Sequence, residues 1–296
     1  MKKSVDAFLS RKPVIGAIMK MEEQYILEWV AWHKLQGFDL IVADNCVEGP
    51  QTGLLQALDR AGWLIRIDFR SPKDHPQMPA YRRIYWEALK RGYRYLGFLD
   101  ADEFFETVDG AIWGGADVVS AQLKRRGIHA ARFRWAMFGS NGLLANENEL
   151  VVTRFETRGR PDKPACRTWK SFFRIYATLG KAIVLPHRFL DNPHNPKVSR
   201  RRTALDGATA LESTSDWRIG RVRHYAVKSR EELLRKYHQR GSPAVFALRE
   251  IPELQNYIEE HDLNDEHDPL PVQSISALRQ KIEEISDTIV ASAVPR

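Results

Sequence analysis

The feature that most constrains the fold is an alternation of short apolar runs and amphipathic segments over roughly the first third of the chain. It predicts strands at 13–19, 40–43, 63–69 and 95–99, separated by helices at 22–35, 53–61 and 80–91. Thr52 is a candidate cap for the second of these helices. Strands separated by helices in this order are typical of βαβ units with right-handed crossovers. The chain is therefore expected to be an α/β protein with a mostly parallel central sheet flanked by helices.

The second half of the chain has a less regular pattern. It predicts helices at 116–126, 229–239 and 274–291, and strands at 129–138, 149–155, 171–177, 182–185 and 221–227. The helix that follows Ser229 has a capping-box signature, because Glu232 stands three positions further on. The basic, proline-broken segment 186–216 is expected to be a long loop.

Two aspartates, Asp100 and Asp102, follow the fourth predicted strand in the sequence LGFLDADEFFE. Residues i and i+2 of an extended backbone point the same way, so the two carboxylates share one face. In open α/β sheets ligands bind at the carboxyl ends of the strands. Two carboxylates at that edge suit a hard divalent cation that also binds substrate phosphates. Further polar side chains follow the first and second strands, namely Lys20, Glu22, Glu23, Asp44 and Asn45.

Charge and composition narrow the classes of function. The net charge of +7 favours anionic partners such as nucleotides. Nucleic acid is not expected as a partner, because the densest basic spot is only the short segment 197–202. No GxGxxG follows the first strand, which disfavours a dinucleotide site. The two cysteines fit a reducing cytosol, and no apolar run is long enough to predict a membrane span.

Four stretches, taken in order, resemble a known enzyme family. They are KMEEQYILEWVAWHKLQGFDLIVADN, LGFLDADEFFE, RWAMFGSNG and HYAVKSREELLRKYHQRG. Together they resemble the family-2-like and family-92-like glycosyltransferases of GT-A fold, which use nucleotide sugars and carry a DxD motif. One departure is Met21, which stands where the family has Asn between Lys20 and Glu22.

The resemblance implies a domain organisation and a set of site residues. It implies a nucleotide-sugar half at 1–110, an acceptor half at 111–245 and a helical extension at 246–296 of a Rossmann-like GT-A domain. Asp100 and Asp102 would bind the metal, Mn²⁺ or Mg²⁺, with His224 as a third ligand. The resemblance also implies that Asp100 lies near the ribose and that Asp44 faces the nucleobase. The other implied contacts to the nucleotide sugar are Lys20, Glu22, Gln77, Tyr81, Lys170 and Lys228.

The expected reaction moves a sugar from a nucleoside diphosphate sugar, with a UDP-sugar favoured by resemblance, to a glycan or lipid-linked acceptor. Assembly of cell-surface polysaccharide in the cytoplasm is the expected setting. The segment 197–202 and the tail helix are candidates for holding the protein to the inner face of the membrane. Inversion of configuration requires a base, for which we name Asp191, while Asp162 and Glu156 stay open.

Other interpretations of the same residues stay open. Glu22 and Glu23 also suit a helix N-terminus, Asp44 suits a turn, and His224 suits a core position. Two other classes of protein compete with a glycosyltransferase. A haloacid-dehalogenase-like phosphatase also uses Asp-x-Asp after a strand, and a basic module could bind polyanions without catalysis.

Overall fold

The structure is a computed structural model. It describes residues 12–46, 48–70, 76–107, 111–126, 128, 130–145, 149–175, 217–240 and 251–293. The predicted strand at 182–185, the predicted loop at 186–216 and the candidate base Asp191 lie outside the described residues.

The first half of the chain forms the parallel part of the sheet. In chain order its elements are β1 (Val14–Met19), α1 (Glu23–Leu35), β2 (Asp39–Asp44), α2 (Pro50–Arg60), β3 (Ile65–Asp68), α3 (Gln77–Lys90) and β4 (Tyr95–Phe98). The four strands pair in parallel in the order β3-β2-β1-β4. The predicted alternation of strands and helices is therefore confirmed.

The start of α2 corrects one prediction. The helix begins at Pro50, after Gly49, so Thr52 lies inside the helix and does not cap it. Proline suits the first turn of a helix, because its φ is already helical and its missing N–H would have no partner there.

The second half extends the same sheet. Its elements are β5 (Glu103–Thr107), α4 (Gly115–Lys124), β6 (Ala130–Met137), α5 (Val151–Arg154), β7 (Thr157–Arg158), β8 (Trp169–Arg174), β9 (Gly220–His224), α6 (Arg230–Arg235), α7 (Ile251–His261), β10 (Glu266–His267) and α8 (Val272–Ala293). The eight-stranded order is β3-β2-β1-β4-β8-β6-β9-β5. Strands β8 and β5 pair antiparallel to their neighbours, whereas β6 and β9 are parallel.

The architecture agrees with the expected class. It is α/β, and helices flank a large, mostly parallel sheet. The sheet is continuous across residue 110, because β8 pairs with β4 and β9 pairs with β5. The boundaries at 110 and 245 stay predictions. None of the helices in the described ranges is both long enough and apolar enough to cross a bilayer.

The predicted strand at 149–155 is wrong, because the described chain is helical at Val151–Arg154. The carboxylate of Glu28, on α1, accepts the backbone N–H groups of Val151 at 2.8 Å and Val152 at 3.0 Å. These are N–H groups of the first turn of a helix, which have no partner within the helix itself. A contact from a distant helix therefore outweighs the β preference of the local sequence.

Helix α1 crosses the centre of the core and supports the loop after β4. The indole N–H of Trp29, which is fully buried, lies 3.0 Å from the carbonyl oxygen of Asp100 and 3.1 Å from that of Glu103. The indole of Trp32 donates to the carbonyl of Phe105 at 2.6 Å. Two buried tryptophans thus hold the chain segment that contains the acidic motif.

Candidate functional site at the carboxyl edge of the sheet

The acidic motif is a tight turn between β4 and β5. The N–H of Glu103 donates to the carbonyl of Asp100 at 3.0 Å, and the N–H of Asp100 donates to Oε2 of Glu103 at 2.9 Å. The N–H of Tyr225, just after β9, donates to the carbonyl of Asp102 at 2.9 Å. Together with the indole of Trp29, these bonds fix the backbone, so the two aspartate side chains start from defined positions.

A buried lysine joins the first aspartate to the acid after the motif. Nζ of Lys170, on β8, lies 2.7 Å from Oδ2 of Asp100 and 2.9 Å from Oε2 of Glu103. Burial alone would lower the pKa of Lys170, but the two carboxylates outweigh it and raise that pKa. Burial raises the pKa of Glu103, and Lys170 opposes this shift. Lys170 therefore stays charged at neutral pH and supports the turn.

Two further lysines face the second aspartate. Nζ of Lys236 lies 2.7 Å from Oδ2 of Asp102, and Nζ of Lys228 lies 3.9 Å from the same oxygen. Both lysine side chains and the aspartate are largely buried. The desolvation cost of these charges is reduced only because opposite charges lie close together. One carboxylate oxygen is thus shared by two cations.

His224, the last residue of β9, also faces this aspartate. Its Nε2 lies 3.8 Å from Oδ1 of Asp102 and 4.0 Å from Oε1 of Glu103. The ring packs against Trp135 with 4.2 Å between centroids. Burial lowers the pKa of His224 to about 3, and Asp102 opposes this shift. The imidazole is therefore neutral at physiological pH and has a lone pair, as a metal ligand requires.

A cavity of about 110 Å³ opens beside these residues. It is lined by Met21, Glu22, Glu23, Tyr25, Ala226, Val227, Lys228, Glu232, Arg235 and Lys236. The lining therefore combines the segment after β1 with the segment after β9, and it contains three basic and three acidic side chains. Only the side of the cavity at Lys228, Arg235 and Lys236 suits a small anionic group.

One wall of the cavity is held by a buried ion pair. Arg154 donates two hydrogen bonds, each 2.9 Å long, to the two carboxylate oxygens of Glu232. Tyr25 and Ser229 donate to the same carboxylate at 2.5 and 2.6 Å. Burial raises the pKa of Glu232, but Arg154 and the two hydroxyls outweigh it and bring that pKa to about 2. The predicted capping box of Ser229 and Glu232 is confirmed.

Two residues of the lining have left-handed backbones. Met21 has φ of 56° and Lys228 has φ of 57°. A residue other than glycine is uncommon there, because its Cβ crowds the following carbonyl, and such strain is concentrated at functional sites. Asparagine tolerates this conformation better than methionine does. The backbone at Met21 therefore favours asparagine over methionine on conformational grounds.

Gln51, a residue that the sequence did not indicate, bridges the ends of β1 and β2 by hydrogen bonds. The side chain of Gln51, on α2, donates to Oδ1 of Asp44 at 2.8 Å and accepts from the N–H of Glu22 at 2.9 Å. Arg66, on β3, donates to Oδ2 of Asp44 at 2.8 Å. Asp44 is fully buried and has a structural role here, while its contact with a nucleobase stays a prediction.

The remaining predicted contacts occupy different surroundings. Gln77 donates to the hydroxyl of Tyr81 at 3.1 Å, and the Tyr81 ring stacks on Phe98 with 3.9 Å between centroids. Burial, and then the charge of Asp100, raises the pKa of Tyr81. Lys20 is exposed.

The structure thus brings together a central set of the predicted residues: Asp100, Asp102, Lys170, His224 and Lys228. It adds three residues that sequence reasoning missed, namely Trp29, Glu103 and Lys236. Glu103 is adjacent to the motif, and Lys236 follows Ser229 by about two helical turns. The sequence therefore indicated only weakly that these two residues belong to the site. The periodicity of the first predicted helix placed Trp29 on its apolar face, but nothing in the sequence indicated that Trp29 would contact the acidic turn.

Asp102 and His224 are the side chains of this cluster that could contribute to a metal site. Within the described ranges, no three His, Cys, Asp or Glu side chains are arranged to hold a metal ion. Asp102 and His224 face each other at 3.8 Å, a distance that exceeds a hydrogen bond. Mg²⁺ usually takes only one or two protein carboxylates and completes its shell with phosphates and water. Asp102 supplies a carboxylate of this kind, whereas imidazole, the side chain of His224, more often binds zinc, copper, iron or nickel.

Comparisons with known proteins give little further guidance. No protein-family model matches the chain, and no curated protein matches it. Among solved structures, it is similar to the mannose-1-phosphate geranyltransferase from Thermus thermophilus, with 12% sequence identity and a TM-score of 0.27. That alignment covers 95% of this chain and 68% of the other. At this level of similarity, the match assigns neither the fold family nor the function.

Proposed function

We propose that this protein is a metal-dependent glycosyltransferase of GT-A fold that takes its sugar from a nucleoside diphosphate sugar. The observation that carries the proposal is the fixed acidic turn after β4, in which Asp102 lies 2.7 Å from Lys236 and 3.9 Å from Lys228, two lysines that line a cavity. Ligands of open α/β sheets bind at this edge. The ordered family motifs support the same function.

The leaving group of the proposed reaction is a nucleoside diphosphate. Its negative charge grows as the bond between the anomeric carbon and the phosphate oxygen breaks. Fixed cations that face this charge stabilise the transition state more than the ground state. Lys228 is placed for this role, because its Nζ is largely buried within 3.9 Å of Asp102.

Asp102 and His224 are the residues that would hold Mn²⁺ or Mg²⁺, with Asp100 as an adjacent carboxylate. The ion, when bound, supplies Lewis-acid stabilisation of the diphosphate. Asp100 is bonded to Lys170 at 2.7 Å, so the role we propose for it is to orient the turn and to contact the ribose.

In the transfer step, an acceptor hydroxyl oxygen forms a bond to the anomeric carbon. The electron pair of the broken bond goes to the diphosphate oxygen, and the hydroxyl proton goes to a base. We propose an inverting reaction with Asp191 as that base, a residue outside the described ranges. A UDP-sugar donor and a glycan or lipid-linked acceptor in cell-surface polysaccharide assembly are proposed from the family resemblance, as is a cytoplasmic location at the membrane face.

The test combines donor binding with one substitution. We expect a nucleoside diphosphate sugar plus Mn²⁺ to raise the melting temperature of the wild-type protein, and Asp102→Asn to abolish that shift. Transfer or donor hydrolysis should fall at least about a hundredfold in the variant, since a charged contact to the reacting group is lost. Asp117→Asn, an exposed change on α4, is the matched control and should leave both unchanged.

Several results would contradict the proposal. Full metal-dependent transfer by Asp102→Asn would refute the role of the acidic turn. Turnover of simple phosphoesters without any effect of nucleotide sugars would favour a phosphatase instead. Steeply salt-dependent binding of nucleic acid, again without any nucleotide-sugar effect, would favour a polyanion-binding module.

A further inference from the structure

We propose that Lys236 is an exchangeable cation: it neutralises Asp102 before the donor arrives and moves to the donor diphosphate when the metal takes its place. This inference rests on the proposed function and assigns a residue that no motif indicated. The observation behind it is the 2.7 Å contact between Nζ of Lys236 and Oδ2 of Asp102. A cation on that oxygen already neutralises the carboxylate that a metal would use.

The acidic turn is balanced by the protein's own cations. Lys170 lies between Asp100 and Glu103, at 2.7 and 2.9 Å. Lys236 and Lys228 both face Asp102. A divalent ion added to this cluster would meet the repulsion of Lys236 at close range. A metal held between Oδ1 of Asp102 and Nε2 of His224 would share this carboxylate with Lys236 on Oδ2, so the two cations would repel each other.

Of the two lysines that face Asp102, Lys236 is the one placed to move. Lys228 is held by a left-handed backbone, and its Nζ lies over the Tyr25 ring at 4.3 Å. Its side chain is 4% exposed, whereas that of Lys236 is 14% exposed. Lys236 also begins a π-helical turn, Lys236–Arg240, that continues α6. Such turns are rare and are frequent at functional sites.

The cavity would place the donor diphosphate within reach of the displaced ammonium group of Lys236. Lys236 lines the cavity of about 110 Å³ together with Lys228 and Arg235. A donor whose diphosphate lies at the mouth of this cavity comes within reach of a lysine side chain that leaves Asp102. The charge of the site is thereby rearranged when the metal and the diphosphate bind together.

The exchange predicts effects of opposite sign from one substitution. Lys236→Gln removes the cation that competes with metal, so Mn²⁺ binding without nucleotide should become about tenfold tighter. The same change removes a contact to phosphate, so UDP binding in EDTA should become about tenfold weaker. Both affinities are measured on the whole protein, the first by Mn²⁺ electron paramagnetic resonance and the second by titration calorimetry.

Two further variants serve as controls. Lys236→Arg keeps the charge at the same position and should retain the wild-type affinity for Mn²⁺. Arg235→Gln removes a positive charge from the same cavity, but the guanidinium of Arg235 faces the hydroxyl of Tyr25 at 3.5 Å. Its donor-free Mn²⁺ affinity should therefore also match that of the wild type.

The outcomes separate this inference from the proposed function. If the wild type binds both Mn²⁺ and UDP but Lys236→Gln changes neither affinity, or weakens both, the exchange is refuted while the glycosyltransferase proposal stands. If Arg235→Gln tightens Mn²⁺ binding as much as Lys236→Gln does, general charge explains the effect and the exchange is again refuted. If the wild type binds neither ligand, the proposed function itself fails.

Discussion

His33 is a fully buried histidine whose protonation should weaken the fold in acid. Its Nδ1 donates to the carbonyl of Trp29 at 2.9 Å, and its Nε2 accepts the N–H of Phe105 at 3.2 Å. An imidazole that donates at one nitrogen and accepts at the other is neutral. Burial lowers the pKa of His33 to about 3, although the bond to Trp29 opposes this shift.

The size of the effect follows from the difference between the folded and unfolded pKa. An unfolded histidine titrates near about pH 6.5. The unfolded state therefore binds more protons between that pH and about 3, and stability is lost as the pH falls through this window. For His33, the loss between pH 7 and pH 5 is about 2 kcal/mol, since each unit of pKa difference is worth about 1.4 kcal/mol.

The assay compares urea unfolding of the wild type and His33→Gln at pH 7 and at pH 5. Glutamine does not titrate, so the destabilisation caused by the substitution should be about 2 kcal/mol smaller at pH 5 than at pH 7. Glu28, whose pKa burial raises to about 7, and His224 also change stability in this range. They do so equally in both proteins, and the difference between the proteins removes their contribution.

An equal destabilisation at both pH values would refute the depressed pKa of His33 and the neutral bridge inferred from it. The matched control is His267→Gln, because the side chain of His267 is 65% exposed. Its surface ion pair should contribute little, so the substitution should leave the free energy of unfolding almost unchanged.

Two other substitutions test the strain and the buried charges around the cavity. Met21→Gly should raise the free energy of unfolding by about 1 kcal/mol, because glycine adopts the left-handed backbone of Met21 without a steric cost. A lower stability in urea unfolding would contradict this. Arg154→Met should lower stability by about 3–5 kcal/mol, because it leaves the buried charge of Glu232 without its bidentate partner. Addition of Glu232→Gln should recover part of the loss, and a full additive loss in the double variant would show that the two side chains are not coupled.

The periodic elements could be predicted because their signal lies within a few neighbouring residues. Strands β1, β2 and β4 are apolar runs that are covered on both faces, as parallel strands usually are. The capping box at Ser229 is equally local, because its two bonds join residues three positions apart. Asp100 and Asp102 could be placed at the sheet edge for the same reason, since they directly follow β4.

Strand β5 and helix α5 could not be predicted, because their stabilising partners come from distant parts of the chain. β5 contains Glu103 and Glu106, which read as surface residues in the sequence but are fully buried. The carboxylate of Glu106 accepts a hydrogen bond from Arg223, on the neighbouring strand, at 2.9 Å. Burial alone would raise the pKa of Glu106, but the charge of Arg223 outweighs burial and lowers that pKa. Helix α5 begins where Glu28 binds its N–H groups.

The sequence by itself determined the α/β class, the order of the first four strands and helices, and the position of two carboxylates at a strand end. These follow from hydrophobic periodicity and from the alternation of side chains along a strand. Only the tertiary structure decided which cations meet those carboxylates. Lys170 and Lys236 lie about 70 and 134 positions from Asp100 and Asp102 in the sequence. Charges so far apart in the chain become neighbours only through the pairing of β4 with β8 and the packing of α6, because Coulomb attraction depends on distance in space.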